Sequence, residues 1–183
     1  MFYKTIAVCL FATACFNNTG KYGTHYNIIL DPTMTPEESN AAIEATTMWQ
    51  NSTAHPTLDI YVGTCPYANA TLEESRAMQG NVCVFMMNVG QLPSNVGGHT
   101  SRDDSNDTAT ILMRRDLDKD PVELSVCIAH EMGHAFGLRH TVDYFGVPLD
   151  KRTPTLMESD YGSVAHEVTA TDSEQYWLLR KER

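Results

Sequence analysis

The sequence HEMGHAFGLRH constrains this chain more than any other stretch, because it fits the pattern H-E-x-x-H-x-x-G-x-x-H. His130 and His134 are four residues apart, so a helix would place both imidazoles on one face. Gly137 can adopt a backbone conformation closed to other residues, which lets the helix stop and the chain turn. His140 would then approach from another direction, with Glu131 beside the metal rather than on it. Three neutral nitrogens and one open position predict a catalytic zinc site.

The predicted site carries the groups that amide hydrolysis requires. Zinc held by three histidines lowers the pKa of a water in its fourth position and polarises the scissile carbonyl. Glu131 is placed to accept a proton from that water and to pass it to the leaving amine. These parts suffice for zinc-dependent hydrolysis of an amide.

Length and charge narrow the class of protein. The 183 residues suffice for one domain with its own hydrophobic core, and the formal charge of −10 argues against a nucleic-acid partner. Beyond the N-terminus, no apolar run has the length of a transmembrane helix. We expect a monomer that contacts a membrane only if a lipid is attached to it.

The N-terminus has the pattern of an export signal. Lys4 precedes an apolar stretch, and Ala12-Thr13-Ala14 is a small-x-small cleavage site that would leave Cys15 first. A cysteine at this place leaves open a lipoprotein signal with an acylated Cys15. We predict a signal peptide at 1–14, a spacer at 15–25 and the catalytic domain at 26–183, in a secreted or extracytoplasmic, cell-surface protein.

Export permits disulfides, and three cysteines remain after the signal is removed. We predict a Cys65–Cys83 disulfide. Cys127 precedes His134 by seven residues on the same predicted helix, so it is expected to pack beneath the site as a small apolar residue.

The alternation of apolar and polar residues predicts the strands, and capping residues predict where the helices begin. Strands are predicted near 26–30, 58–62, 82–89, 96–100 and 108–113, and helices after Thr35, after Asp120 and from Thr169 or Thr171. The strand at 96–100 is predicted to lie at a sheet edge, where Gly97, Gly98 and His99 leave the backbone open to an extended peptide. This order predicts an α+β or three-layer domain with a mixed sheet.

The stretch from His130 to His140 resembles the metzincin signature of zinc metalloproteases. The resemblance implies that His130, His134 and His140 bind the zinc and that Glu131 is the general base. It also implies a Met-turn beneath the zinc, for which Met157 is the candidate.

Among metzincins the chain looks most similar to the matrixins. The resemblance rests on 96–99, on His140-Thr141-Val142-Asp143 and on the last helix from Val168. It implies a zincin-like α+β domain: a twisted, mixed and mostly parallel sheet with an antiparallel edge strand, an active-site helix, the Met-turn and a C-terminal helix.

Matrixins also bind structural calcium, and two acidic runs offer oxygen ligands for it. The candidates are Asp103, Asp104 and Asp107, or Asp116, Asp118 and Asp120. Neither run matches a complete calcium loop, so a merely solvated acidic surface is the alternative.

The zinc site and the resemblance together predict a zinc-dependent endopeptidase that hydrolyses protein or peptide substrates. Two alternatives to an endopeptidase stay open at this point. One is a catalytically silent zinc-bearing domain that binds a peptide or partner, against which the retained Glu131 argues. The other is a hydrolase of cell-wall peptide bridges.

Overall fold

A five-stranded sheet forms the centre of the protein in a computed structural model. The structure describes residues 24–65, 80–88, 91–92, 97–103, 107–115, 121–141, 154–158 and 165–181. The strands are β1 His25–Leu30, β2 Thr57–Val62, β3 Asn81–Met87, β4 Gly98–Asp103 and β5 Thr108–Arg114. The helices are α1 Pro36–Asn51, α2 Pro121–Ala135 and α3 Ala170–Lys181.

The sheet is mixed and mostly parallel. Its strands lie in the order β2-β1-β3-β5-β4, and only the pairing of β4 with β5 is antiparallel. The antiparallel strand is therefore an edge strand of the described sheet. This arrangement confirms the predicted fold class, since the parallel strands, the antiparallel edge and the three helices occur in the expected order.

Helix α1 begins where its capping sequence predicts. The Thr35 hydroxyl accepts a hydrogen bond from the Glu38 N–H, and the Glu38 carboxylate accepts one from the Thr35 N–H. This capping box satisfies two amides that the first turn cannot pair internally. Pro36 occupies the first turn, where its missing N–H costs nothing.

The core lies between the sheet and the helices. Helix α2 packs along β4 and β5 and also against α1. Trp49 of α1 is fully buried, and its Nε1 donates to the Ala129 carbonyl of α2 at 2.8 Å. Its ring packs against Phe136 and Tyr176, so one side chain joins α1, α2 and α3. This cluster fixes α2 relative to α1 and α3.

The cysteines follow the prediction. Cys65, just after β2, is joined to Cys83 of β3 by a disulfide, with the two Cα atoms 6.1 Å apart. Cys127 is a buried thiol on α2 within the hydrophobic core. The disulfide ties the chain that follows β2 to the middle of the sheet.

The predicted signal peptide at 1–14, the possible lipid site Cys15 and most of the spacer at 15–25 lie outside the described residues. Among the helices that the structure describes, none combines the length and the apolar character needed to span a bilayer.

Candidate metal centre

Helix α2 places the first two histidines, and its end places the third. After Ala135 the chain closes in a Schellman motif: Leu138 N–H donates to the Gly133 carbonyl at 2.9 Å, and Gly137 N–H donates to the His134 carbonyl at 2.9 Å. Gly137 has a φ of +93°, in the left-handed region that other residues avoid. The reversal brings His140 back to face His134.

Backbone carbonyls orient two of the imidazoles. His130 Nδ1 lies 2.7 Å from the Leu156 carbonyl oxygen, and His134 Nδ1 lies 2.9 Å from that of Leu138. A carbonyl only accepts, so both Nδ1 atoms carry the proton and both Nε2 atoms present a lone pair. This is the tautomer that a zinc ligand needs.

The three imidazoles converge on one point. His134 Nε2 and His140 Nε2 are 3.3 Å apart, and one ligand atom from each of the three histidines lies within 4.8 Å of the others. Two nitrogens bound to one tetrahedral zinc at about 2.0–2.1 Å are themselves about 3.3 Å apart. The donors and their spacing therefore fit zinc. Within the described part of the chain, no other group of three His, Cys, Asp or Glu residues has such a geometry.

Burial keeps the first histidine neutral. His130 is 3% exposed, and its burial, followed by the charge of neighbouring His134, lowers the pKa of His130 to about 4. An imidazole with this pKa carries no proton on its second nitrogen near neutral pH. It is ready to bind a cation without first losing a proton.

Glu131 lies between the helix and the edge strand. Its side chain is buried, and its Oε2 accepts a hydrogen bond from the Thr100 hydroxyl at 2.6 Å. A Cβ added to Gly98 would lie 2.8 Å from Glu131 Cγ and 2.9 Å from Oε1. Glycine at 98 is therefore required for the carboxylate to lie against β4.

The structure refines which backbone groups the edge strand offers. The Gly97 carbonyl accepts from Arg114 N–H at 3.0 Å, and its neighbour Gly98 stands opposite Met113. In an antiparallel pair the hydrogen-bonded positions alternate, so the backbone groups of Gly97 and His99 face β5. Those of Gly98 and Thr100 face away from it. Of the three predicted residues, Gly98 thus offers its backbone to the open edge, and Thr100 joins it.

Met157, the candidate for the Met-turn, packs against α2. It is fully buried, and a Cβ added to Gly133 on α2 would overlap its Sδ and lie 3.1 Å from its Cε. The Thr141 N–H donates to the Met157 carbonyl at 2.8 Å, which joins the chain after the third histidine to this turn. Met157 therefore packs against α2 at Gly133, the residue before the second histidine.

The sequence prediction missed Asp172, which holds that turn. Its carboxylate accepts hydrogen bonds from the backbone N–H groups of Leu156, Met157 and Thr169 at 3.0, 3.2 and 2.8 Å, and from the Thr169 hydroxyl at 2.7 Å. Burial raises the pKa of Asp172, and these hydrogen bonds oppose the increase. Because the Leu156 carbonyl orients His130, Asp172 supports a predicted ligand through one peptide unit. The T-x-x-D sequence from Thr169 to Asp172 at the start of α3 could have indicated that this carboxylate binds backbone N–H groups.

The calcium prediction gains no support from the residues that the structure describes. Asp107 is 1% exposed, and its carboxylate pairs with Arg102 rather than facing an open site. Asp104, Asp116, Asp118 and Asp120 lie outside the described residues.

Replacing the third histidine tests the metal centre. We expect His140→Ala to weaken zinc binding by more than about a hundredfold, because loss of an outer partner alone costs about ten- to a hundredfold. Competition with a fluorescent zinc chelator measures the affinity. His166→Ala, at an exposed histidine, should bind zinc like the wild type. Equal affinity in His140→Ala would remove His140 from the ligand set.

Comparison with known proteins identifies a family that matches this chain. The family described as metallo-peptidase family M12B, reprolysin-like, matches residues 23–176. The crystal structure of archaemetzincin from Methanopyrus kandleri is similar at a TM-score of 0.51 and 16% identity, over 87% of this chain and 97% of that one. No curated protein matches the sequence. These findings confirm the metzincin-like zinc metallopeptidase prediction, but they do not support the narrower matrixin resemblance.

Proposed function

The chain belongs to the reprolysin-like M12B metallopeptidase family, and from this we propose that it is a zinc-dependent endopeptidase in which Glu131 is the general base. One observation carries the proposal: three convergent imidazoles lie beside a buried carboxylate that follows the first of them in the chain. His130, His134 and His140 would hold the zinc. When bound, zinc supplies a Lewis acid that acidifies water and polarises a carbonyl.

The chain's own residues carry the protons in the proposed reaction. Glu131 accepts a proton from the attacking water and then donates it to the amine of the departing product. Its low exposure supports this role, because a site shielded from bulk solvent limits the loss of protons to the medium. Leu156 and Leu138 keep the imidazoles turned toward the reacting atoms.

The edge strand supports an internal cleavage site. The backbone groups of Gly98 and Thr100 face away from β5, so an extended substrate can add to β4 by main-chain hydrogen bonds. Such binding uses the peptide backbone and needs neither terminus of the substrate. We therefore propose cleavage within a chain rather than removal of terminal residues.

A library of peptides blocked at both ends tests this function. Zinc-loaded protein is incubated with acetylated, amidated peptides, and the products are identified by mass spectrometry. We expect internal cleavage that a zinc chelator stops and added zinc restores. A zinc-loaded protein that binds these peptides without cutting them would instead support the silent binding domain. Cleavage of purified cell-wall peptide bridges, without cleavage of the peptide library, would support the alternative of a cell-wall hydrolase.

Export is a separate proposal, supported by the sequence of the first 15 residues. We propose that the chain is cleaved after Ala14 and acts outside the cytoplasm. Mass spectrometry of the mature N-terminus checks this. A start at Cys15 is expected, an added lipid mass would identify an anchor, and retention of residues 1–14 in the mature protein would refute export by this signal.

A further inference from the structure

We propose that Thr100 is a positioning residue that holds the carboxylate of Glu131 in its working orientation and aligns it with the substrate strand. The proposal rests on the function proposed above and adds a residue outside the zinc motif. It concerns a side chain on β4 and a carboxylate on α2, 31 residues apart in the sequence.

The hydrogen-bond geometry identifies the acceptor. Thr100 Oγ1 lies 2.6 Å from Glu131 Oε2 and 3.0 Å from the Glu131 carbonyl oxygen. The hydroxyl has one proton, and an ionised carboxylate accepts a shorter and stronger bond than a neutral carbonyl. The proton therefore goes to Oε2. The contact to the carbonyl also places the hydroxyl directly over the backbone of Glu131.

The surroundings of the hydrogen bond between Thr100 and Glu131 limit how far the carboxylate can move. Glu131 is 4% exposed, so water does not readily replace the hydroxyl. The glutamate side chain has three rotatable bonds, whereas threonine is branched at Cβ and stiff at χ1. On the same face of β4 the carboxylate also meets Gly98, where even a methyl group would collide with it. Thr100 binds one carboxylate oxygen, and the bare backbone of Gly98 leaves room for the other.

The same residue connects the base to the substrate. The backbone N–H and C=O of Thr100 face away from β5, toward the open edge where a peptide would add. Its side chain faces Glu131. A peptide that pairs with Thr100 is thereby placed in register with the carboxylate, and a displacement of about 1 Å at such a point can cost about a hundredfold in rate.

Contacts other than the Thr100 hydroxyl also hold β4 against α2. Arg102, two residues further along β4, donates to the Ala135 carbonyl at the end of α2 and pairs with Asp107. These contacts do not involve Thr100. A variant at Thr100 therefore tests the position of the carboxylate and leaves the packing of β4 on α2 in place.

Three variants test the proposal in zinc-loaded, full-length protein. Thr100→Val keeps the shape and removes the hydroxyl, and Thr100→Ser restores the hydroxyl without the methyl. Thr47→Val on the exposed side of α1 is the matched control, since it removes another threonine hydroxyl that donates a hydrogen bond, here to the Ile43 carbonyl at 2.8 Å. We measure kcat and KM on a blocked peptide, zinc content, melting temperature and the crystal structures of Thr100→Val and the wild type.

We expect kcat of Thr100→Val to fall by about tenfold to a hundredfold while KM changes by less than about threefold, because the backbone of β4 still binds the peptide. Thr100→Ser and Thr47→Val should stay within about threefold of the wild-type kcat. Zinc content should be unchanged, and the Glu131 carboxylate should be displaced in the Thr100→Val crystal.

An active wild type with an equally active Thr100→Val would overturn the positioning role and leave the proposed function intact. The same holds if kcat falls only together with zinc content or melting temperature. A fully zinc-loaded wild type that cuts no peptide would overturn the proposed function and this proposal with it.

Discussion

Glu131→Gln is expected to lower kcat/KM for a blocked peptide by about a thousandfold while zinc remains fully bound. Glutamine has nearly the same shape but cannot accept a proton, and general-base catalysis contributes about a hundred- to ten-thousandfold. A thousandfold loss corresponds to about 4 kcal/mol of transition-state stabilisation. The zinc should stay because the convergent ligand atoms belong to histidines and not to Glu131. Steady-state kinetics and metal analysis on the same preparation measure both quantities.

A matched substitution distinguishes the loss of the general base from the loss of one negative charge. Glu174→Gln makes the same chemical change on the exposed side of α3 and should retain the wild-type rate. If Glu131→Gln kept more than about a tenth of the activity, the general base would have to be another residue. If it lost zinc as well, the carboxylate would contribute to the metal centre itself.

Asp172→Ala is expected to destabilise the protein by about 3 kcal/mol and to weaken zinc binding. The carboxylate accepts hydrogen bonds from three backbone N–H groups, and each donor left buried without an acceptor costs about 1–3 kcal/mol. Burial of the charge, seen in the raised pKa of Asp172, offsets part of that sum. Asp172→Asn keeps one acceptor oxygen, so its loss should be smaller. Urea unfolding followed by fluorescence measures the stability.

Zinc affinity shows whether Asp172 acts beyond stability. The carboxylate holds the Leu156 peptide, and the carbonyl of that residue orients His130. We expect the affinity to fall about tenfold, as for other outer partners of metal ligands. Asp59→Ala is the control, because its side chain is 47% exposed and pairs only at the surface with His25. Equal stability of Asp172→Ala and Asp59→Ala would contradict the assigned role.

The sequence alone determined the local parts of the site. The helix period places His130 and His134 on one face, and Gly137 allows the helix to end in a Schellman motif. Both features depend on residues within about five positions of each other, so a local pattern predicts them. The capping box at Thr35 and the order of strands and helices could likewise be predicted from local patterns of residue types. Met157 was predicted only through family resemblance, and the structure places it beneath Gly133.

Only the tertiary structure decided which distant groups serve that site. Thr100 meets Glu131 because β4 pairs with β5 in one register, and a shift of one residue would turn the hydroxyl to the opposite face. Asp172 reaches the turn at Met157 because α3 lies against the chain that follows α2, where Gln175 and Arg180 bond to its backbone. Asp107, predicted as a calcium candidate, instead pairs with Arg102 inside the fold. Such contacts depend on strand register and helix packing, which a local pattern of residue types does not encode.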